Sequence, residues 1–294
     1  MAVIIDGKKI SQEIRSELKI EIEELKNKTG SVPGLATILV GDNPASQSYV
    51  ASKLKYSEEL GMKSVLEKKD ISISESELLD LIYKYNEDPA FHGILVQLPL
   101  PKHISEDKVI EAINPAKDVD GFHPVSLGNL VIGKDTFYPC TPYGIQELIL
   151  RYKIETKGKH TVVAGRSNIV GKPIANMMFQ KKEGANSIVT VCHSAAKDLS
   201  EYTRTADILI AAIGSPKFIK EDMVKEGVVV IDVGINRIDD PSAKKGYRNV
   251  GDVDFENVEK KASYITPVPG GVGLMTVAML MKNSVKAFKR INNI

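Results

Sequence analysis

Residues 160–173 read HTVVAGRSNIVGKP, and this stretch decides the fold of the second half of the chain. The apolar run His160–Ala164 is typical of a buried parallel strand, and Gly165–Gly171 predicts a tight loop that opens a helix near Pro173. Glycines there let the backbone approach a ligand, and the free N–H groups at the helix start favour a pyrophosphate. The spacing differs from Gly-x-Gly-x-x-Gly, so a strand-to-helix turn that binds nothing is the alternative interpretation of this loop alone.

Two later loops follow predicted strands in the same way. Gly214-Ser215-Pro216 comes after Ile208–Ala211, and Gly234-Ile235-Asn236 comes at the end of Val228–Val233. Because parallel strands end at the same edge of a sheet, the three loops are expected side by side. Three such loops together leave little room for the interpretation that none of them binds a ligand.

The first half of the chain also alternates strands with amphipathic helices. Strands are predicted at Leu35–Val40, Ser64–Glu67 and Gly93–Gln97, and a last helix is predicted from about Gly273 to Arg290. Asn43 followed by Pro44 predicts the start of the first of these helices, and the capping-box spacing of Ser74 and Glu77 predicts the start of the next. Residues 114–124 are predicted to form a loop. Strands joined by helices pair in parallel, with helices on both faces of the sheet. The predicted fold class is therefore α/β, with two α/β lobes, the C-terminal one a Rossmann-like doubly wound parallel sheet, and a cleft between them.

Composition excludes several classes of protein. The chain has 294 residues, 43% hydrophobic and 26% charged, with a formal net charge of +1, so it does not resemble a nucleic-acid-binding protein. No signal peptide or membrane-spanning stretch is recognised. The two cysteines, Cys140 and Cys192, cannot build a disulfide framework and suggest a reducing compartment. A cytoplasmic protein is expected.

The second strand of the nucleotide-binding half indicates which nicotinamide cofactor binds. This strand ends in Val191-Cys192-His193-Ser194, without the carboxylate that usually binds the ribose diol of NAD. Arg166 can face a 2′-phosphate, with Ser194 donating a hydrogen bond. NADP is therefore favoured over NAD, and a solvated surface arginine is the alternative for Arg166.

A second group of residues lies far upstream. Tyr49 and Lys53 are four residues apart on a predicted helix, so the phenol and the amine share one helix face. Gln97 ends a predicted strand, and Asp118 and Asp120 lie in the loop 117–122. Taken alone, Lys53 is equally well interpreted as an ordinary surface lysine.

At these residues the chain resembles the bifunctional 5,10-methylenetetrahydrofolate dehydrogenase/cyclohydrolase family. The shared motifs, in order, are Tyr49-x-x-x-Lys53, Val96-Gln97-Leu98-Pro99, Lys117-Asp118-Val119-Asp120-Gly121, Pro139-Cys140-Thr141-Pro142, Gly165-Arg166-Ser167 and Pro269-Gly270-Gly271-Val272-Gly273. The resemblance implies oxidation of methylenetetrahydrofolate by NADP+ and hydrolysis of the methenyl product to 10-formyltetrahydrofolate. It also implies a homodimer joined mainly through the cofactor domains.

Individual roles follow from the resemblance and from the chemistry of each side chain. Tyr49 suits stacking on the pterin, and Asp120 can accept hydrogen bonds from the pterin edge. Lys53 is the candidate for proton transfer in hydrolysis, because desolvation and the positive substrate would lower its pKa. Gln97 can hold Lys53 or the water, and Ser46 is a weaker candidate for a hydrogen bond to the substrate.

The expected sites are therefore as follows. The catalytic residues are Lys53, Tyr49, Gln97 and Asp120. The substrate-binding residues are Tyr49, Ser46, Asp120, Pro267, Gly270 and Gly271. The cofactor-binding residues are Gly165, Arg166, Ser167, Ile169, Ser194, Gly214, Ile235 and Thr276. No metal is predicted, and His103, His123 and Cys140 are assigned to loop packing.

Domain boundaries follow from the same resemblance. Residues 1–140 with 274–294 are expected to form the folate-binding catalytic domain, and 141–273 the NADP-binding domain. A dehydrogenase without cyclohydrolase activity and a regulator that senses NADP without turnover are the alternatives. The coexistence of Lys53, Gln97 and Asp120 argues against both. Leu98–Pro99 is a candidate cis peptide bond.

Overall fold

The computed structural model describes residues 1–243 and 246–294. Its strands are β1 (Val3–Ile4), β2 (Gly34–Val40), β3 (Lys63–Lys69), β4 (Gly93–Val96), β5 (His160–Ala164), β6 (Ile188–Cys192), β7 (Ile208–Ala211), β8 (Val229–Asp232), β9 (Asn236–Asp239), β10 (Tyr247–Val250) and β11 (Tyr264–Ile265). Its helices are α1 (Gly7–Thr29), α2 (Pro44–Glu59), α3 (Glu75–Glu87), α4 (Glu106–Ala112), α5 (Pro124–Val131), α6 (Cys140–Arg151), α7 (Gly171–Met178), α8 (Ser200–Thr203), α9 (Phe255–Val258) and α10 (Val272–Ile291).

The chain divides into two compact units. The first, the sheet-of-six unit, consists of Met1–Gln12 and Thr141–Thr276, and the second, the sheet-of-three unit, of Glu13–Cys140 and Val277–Ile294. The sequence prediction placed residues 1–12 with the folate-binding half. In the structure they belong to the other unit, because β1 pairs in parallel with β11 and extends its sheet. Two residues of strand are too short for a sequence pattern to reveal.

The sheet-of-six unit is a Rossmann-like parallel sheet. Its strand order is β1-β11-β8-β7-β5-β6, and every pair of neighbouring strands in this order is parallel. The register aligns Ala164, at the end of β5, with Ala211 on one side and Cys192 on the other. The loops after β5, β6 and β7 therefore leave the same edge of the sheet, and the predicted doubly wound α/β fold is confirmed.

The sheet-of-three unit contains the parallel order β3-β2-β4, with every residue of β2 buried. Helix α2 begins as predicted, because Asn43 accepts hydrogen bonds from the N–H groups of Ala45 and Ser46 and Pro44 follows it. The predicted capping box of Ser74 and Glu77 opens α3. Local capping chemistry thus determines where both helices start.

Several elements were not predicted. Helix α1 buries Ile10, Ile14, Leu18 and Ile22 at four-residue intervals. The predicted loop 114–124 contains a short 3-10 helix at Pro115–Lys117, and Pro124 already begins α5. Strands β9 and β10 form an antiparallel pair outside the two parallel sheets. Among the described residues, no helix combines the length and hydrophobicity that crossing a bilayer needs.

Candidate active site

Lys53 and Gln97 are brought together in the sheet-of-three unit. Lys53 lies on α2 with 7% of its surface exposed, and its Nζ donates to Gln97 Oε1 over 2.8 Å. Gln97 follows β4, and its Nε2 donates to the carbonyl of Leu98 over 2.7 Å. The Leu98–Pro99 peptide bond is cis, as the sequence suggested. The oxygen and the nitrogen of the Gln97 side-chain amide thus both form hydrogen bonds. These two bonds fix the orientation in which the amide oxygen accepts from Lys53.

The environment of Lys53 alters its protonation. Burial lowers the pKa of the Lys53 amine, and the charge of Asp120 opposes that shift in part. A buried amine that gives up its proton more readily than a surface lysine is suited to act as a base. The interpretation of Lys53 as an ordinary surface lysine is wrong, since the side chain is buried.

The loop 117–122 uses two of its charged residues for structure. Lys117 donates to the carbonyls of Tyr85 and Asp88, both at 2.9 Å, at the end of α3. Asp118 accepts from the backbone N–H groups of residues 121–123 at 2.9–3.2 Å. Burial raises the pKa of Asp118 to about 7. Asp120 is the charged residue of this loop that remains for a ligand.

Asp120 interacts with two neighbours. Burial raises the pKa of the Asp120 carboxyl, and the positive charge of Lys53 counteracts the rise. The Cys140 thiol donates to the Val119 carbonyl over 3.5 Å and also interacts electrostatically with Asp120, and burial raises the pKa of this thiol far above the usual range. The sequence assigned Cys140 to loop packing and missed this contact. Its place in Pro139-Cys140-Thr141-Pro142, a motif already noted, was the available signal.

Asn283, on α10, is a further residue that sequence reasoning missed. Its Nδ2 donates to the carbonyls of Val119 at 2.8 Å and Tyr138 at 3.0 Å, next to Asp120 and Cys140. An asparagine within an otherwise apolar helix face was its only sequence signal. It joins the loop of Asp120 to the segment that leads into α6.

Tyr49 and Ser46 share one side of α2 with Lys53. Tyr49 keeps 38% of its surface exposed, and burial of the rest raises the pKa of its phenol. Ser46 is buried, and its backbone N–H is capped by Asn43. A half-exposed ring beside a buried amine leaves a ring face free for a flat ligand.

The loop after β5, in the sheet-of-six unit, has no room for side chains at its two glycines. A Cβ atom on Gly165 would lie 2.2 Å from the Ala212 carbonyl oxygen, and one on Gly171 would lie 2.3 Å from the Gly165 carbonyl oxygen. Ser167 Oγ accepts from the N–H groups of Val170 and Gly171 at the start of α7. The backbone here is packed as closely as a phosphate-binding turn requires.

A cavity of about 630 Å³ adjoins this loop. Its lining includes Gly165, Arg166, Ser167 and Ser194 from the predicted cofactor site, together with His193 and Lys197. Arg166 Nη1 lies 3.3 Å from His193 Nε2. Sequence reasoning did not assign His193 and Lys197 to the cofactor site, although His193 directly precedes Ser194 and Lys197 follows it three positions later. Closely packed glycines and basic side chains fit a phosphorylated dinucleotide.

The other predicted cofactor residues belong to the same unit, where Gly214, Ile235 and Ile169 lie in loops and Thr276 lies in α10. Gly214 follows β7 with φ of 76°, and Ile235 follows β8 with 47% of its surface exposed. Thr276 Oγ1 lies 3.0 Å from Thr141 Oγ1. Ile169 is exposed within the loop before α7.

The predicted substrate loop 267–271 lies at the start of α1. The Gly270 carbonyl accepts from the Lys8 N–H over 3.1 Å, and a Cβ on Gly7 would lie 2.1 Å from the Gly271 carbonyl oxygen. Pro267, Gly270 and Gly271 therefore belong to the sheet-of-six unit, whereas Lys53 and Asp120 belong to the sheet-of-three unit. Within residues 1–243 and 246–294, no group of three or more His, Cys, Asp or Glu side chains could hold a metal ion.

Comparison with known proteins gives matches over nearly the whole chain. The family model for the tetrahydrofolate dehydrogenase/cyclohydrolase catalytic domain matches residues 5–120, and the model for its NAD(P)-binding domain matches residues 139–292. The "Bifunctional protein FolD" of Chlorobium limicola is 61% identical over 294 residues, covering 99% of both chains.

Solved structures agree. The bifunctional methylenetetrahydrofolate dehydrogenase/cyclohydrolase of Campylobacter jejuni is 52% identical with a TM-score of 0.93, covering 99% of this chain and 100% of that one. The Trypanosoma brucei enzyme, solved with NADP and an inhibitor, is 39% identical with a TM-score of 0.94, covering 100% and 99%. These matches confirm the α/β fold and the enzyme class predicted from the sequence. The chain belongs to the tetrahydrofolate dehydrogenase/cyclohydrolase family.

Proposed function

We propose that the protein oxidises 5,10-methylenetetrahydrofolate to 5,10-methenyltetrahydrofolate with NADP+ and hydrolyses this product to 10-formyltetrahydrofolate. The observation that carries the proposal is the 2.8 Å contact between the buried Lys53 amine and Gln97. A dehydrogenase alone has no need of a buried base, whereas hydrolysis has. The same contact argues against a regulator that binds NADP without turnover.

The two compact units divide this work. The sheet-of-three unit, with Tyr49, Lys53, Gln97 and Asp120, is the folate-binding catalytic domain. The sheet-of-six unit, with the loops at Gly165, Gly214 and Ile235, is the NADP-binding domain. Residues 1–12 and residues 274–276 go with the NADP-binding domain, which are the two changes to the boundaries expected from the sequence.

Lys53 acts as the base in hydrolysis. As water attacks the methenyl carbon, one of its protons passes to the neutral Lys53 amine. The second water proton reaches the folate nitrogen N5 as the bond from that nitrogen to the carbon breaks, so atoms and charge balance. Gln97 accepts one N–H of Lys53, which directs the amine lone pair away from the amide and towards the water.

Asp120 and Tyr49 bind the pterin. Asp120 accepts hydrogen bonds from the 2-amino group and N3–H, and a protein carboxylate is the group that can accept two donors at once. The exposed ring of Tyr49 stacks on the apolar face of the pterin. The Ser46 hydroxyl, on the same face of α2, donates a hydrogen bond to the substrate. Pro267, Gly270 and Gly271 offer backbone groups to the substrate, because the two glycines have no side chain that would keep a ligand away from the backbone.

Arg166 and Ser194 select NADP over NAD. Both line the basic cavity beside the loop after β5, and the cavity also contains His193 and Lys197. A guanidinium pairs with a 2′-phosphate through charge-assisted hydrogen bonds. NADP+, when bound, supplies the oxidant for the first reaction. Gly165, Ser167 and Ile169 hold the pyrophosphate side, and Gly214, Ile235 and Thr276 complete the site.

The protein forms a homodimer through the sheet-of-six unit. Strand β6 pairs with β5 alone among the described strands, so one of its backbone edges is unpaired. Ile188 and Val191 of β6 are 66% and 43% exposed. An edge strand with exposed apolar side chains is the kind of surface that a second copy covers.

The buried free thiols Cys140 and Cys192 agree with a reducing, cytoplasmic location.

One assay tests the proposal. Methenyltetrahydrofolate is followed by its absorbance, first during its formation from methylenetetrahydrofolate with NADP+ or NAD+, then during its hydrolysis without a nicotinamide. We expect formation with a preference for NADP+ and hydrolysis above the uncatalysed rate. Oxidation without enhanced hydrolysis would favour the monofunctional dehydrogenase, and the absence of both reactions would refute the function.

A further inference from the structure

A buried carboxylate ties together two of the loops that bind the cofactor. Asp252 lies just after β10 and is fully buried. Its Oδ2 accepts from the backbone N–H groups of Ile213 at 2.6 Å and Gly214 at 2.9 Å. Its Oδ1 accepts from the Ser215 N–H at 3.0 Å and from Asn236 Nδ2 at 2.8 Å. One side chain thus binds the loop after β7 and the first residue of β9, which directly follows the loop after β8.

Asp252 is itself held in place by a second buried carboxylate. Asp232, at the end of β8, accepts from the backbone N–H groups of Asp252 and Gly234 through Oδ1 and from that of Val253 through Oδ2, at 2.9–3.0 Å. A Cβ on Gly234 would lie 2.3 Å from Asp252 Oδ1, and one on Gly251 would lie 1.8 Å from Asp232 Oδ2. The two carboxylates are therefore enclosed by backbone with no space to spare.

The direction of the three N–H groups matters for the cofactor. Successive N–H groups that converge beside a residue with positive φ, here Gly214, form a concavity that attracts an anion. Asp252 fills this concavity, so the loop after β7 has no such donors left for a phosphate. Ala212, Ile213 and Ser215 of the same loop line the 630 Å³ cavity. Asp252 thereby determines which surface of this loop faces the cavity.

We propose that Asp252 is a positioning residue of the NADP site. It holds the loop at Gly214 and, through Asn236, the loop at Ile235 in the conformation that binds the cofactor, and it leaves the start of α7 as the place for the pyrophosphate. This inference rests on the proposed function of the sheet-of-six unit. Asp252 touches neither the catalytic lysine nor its partners in the sheet-of-three unit, so the hydrolysis reaction serves as an internal control.

The variant Asp252→Asn tests this positioning role. It preserves the shape of the side chain but replaces one carboxylate oxygen with an NH₂ group. One of the two pairs of donors then loses its acceptor. We expect the Kd of NADP+, measured by calorimetry, to rise about tenfold, as the loss of charge-assisted hydrogen bonds predicts. Amide hydrogen exchange at residues 213–215 should become faster in the cofactor-free protein. The hydrolysis rate without nicotinamide should stay within about twofold.

A matched control and a milder variant complete the design. Asp254→Asn removes a neighbouring carboxylate that interacts with the side chains of Lys217 and Lys220. Asp252, and not Asp254, accepts the backbone N–H groups of residues 213–215 and the Asn236 amide, so NADP+ binding should be unchanged. Asn236→Ala removes one of the four donors to Asp252 and should raise the Kd about threefold. This variant decides the matter if Asp252→Asn does not fold.

The possible results distinguish failure of the positioning role of Asp252 from failure of the proposed function. An unchanged Kd in a folded Asp252→Asn protein, or in Asn236→Ala when the first variant is unfolded, overturns the proposal. An equal loss of NADP+ binding and hydrolysis also overturns it, because that result indicates a general role in stability. A lack of NADP+ binding by the unmodified protein would instead refute the proposed function.

Discussion

Replacing Lys53 tests the mechanism most directly. In Lys53→Met the amine that donates to Gln97 is lost, and a thioether of similar length fills its space. General base catalysis contributes about 10²–10⁴-fold, so hydrolysis of methenyltetrahydrofolate should slow by that factor. Lys53→Arg should lose the same activity, because a guanidinium keeps its charge and cannot be deprotonated in a protein.

The stability of the variant is expected to change little. The Gln97 oxygen loses its donor, which costs about 1–3 kcal/mol for an acceptor left without a partner. Removal of the amine of Lys53, a residue that is 7% exposed in the protein, offsets part of this cost. A folded Lys53→Met protein is therefore expected, and circular dichroism can verify it before kinetic assays.

The pH dependence provides a second readout. Burial lowers the folded-state pKa of Lys53, so the neutral, basic form appears at lower pH than in a free lysine. Hydrolysis by the unmodified protein should rise with pH through that lowered pKa, and Lys53→Met should lack the rise. Between the lowered folded pKa and the ordinary value the unfolded chain binds more protons, so this group makes the free energy of unfolding increase with pH in that window.

Lys55→Met is the matched control, because Lys55 lies on the same helix with its side chain 69% exposed and a 3.8 Å ion pair to Glu59. It should hydrolyse the substrate at the normal rate. The reasoning is refuted if Lys53→Met retains more than about a tenth of the hydrolysis rate, or if Lys53→Arg remains active. The second result would mean that the charge matters and the proton transfer does not.

Three further predictions follow from the same geometry. Asp120→Asn should raise the KM for methylenetetrahydrofolate about tenfold by weakening the acceptor for the pterin, while calorimetry should find the Kd of NADP+ unchanged; equal losses would indicate misfolding. Arg166→Ala should reduce the ratio of kcat/KM for NADP+ to that for NAD+ by about 10–100-fold, whereas Lys159→Ala, which removes an ion pair to Glu155, should not alter it. Gly165→Ala should lower the free energy of unfolding by at least about 3 kcal/mol in urea, because its Cβ would lie 2.2 Å from a carbonyl oxygen. Gly158→Ala, at φ of 71° with nothing within 4 Å, should cost only about 1 kcal/mol, and equal costs would contradict the packing argument.

The local part of the fold was predictable from the sequence. Strand β5 and the start of α2 were predicted correctly because a buried apolar run and an Asn-Pro cap act over a few neighbouring residues. Strands β1 and β11 were not predicted, since each has two residues and owes its existence to a partner distant in the chain. The antiparallel pair of β9 and β10 lies outside the alternation of strands and helices on which the prediction was based.

The candidate site shows the same division. The sequence by itself singled out the residues that are proposed to carry the chemistry, since Lys53, Gln97, Asp120 and Arg166 stand in short sequence motifs. Only the tertiary structure decided what surrounds them: Lys53 meets Gln97 across 44 positions, and Asp252 meets Ile213 across 39. Burial, the pKa of an amine and the partner of a backbone N–H depend on atoms close in space, and a linear pattern does not contain those distances.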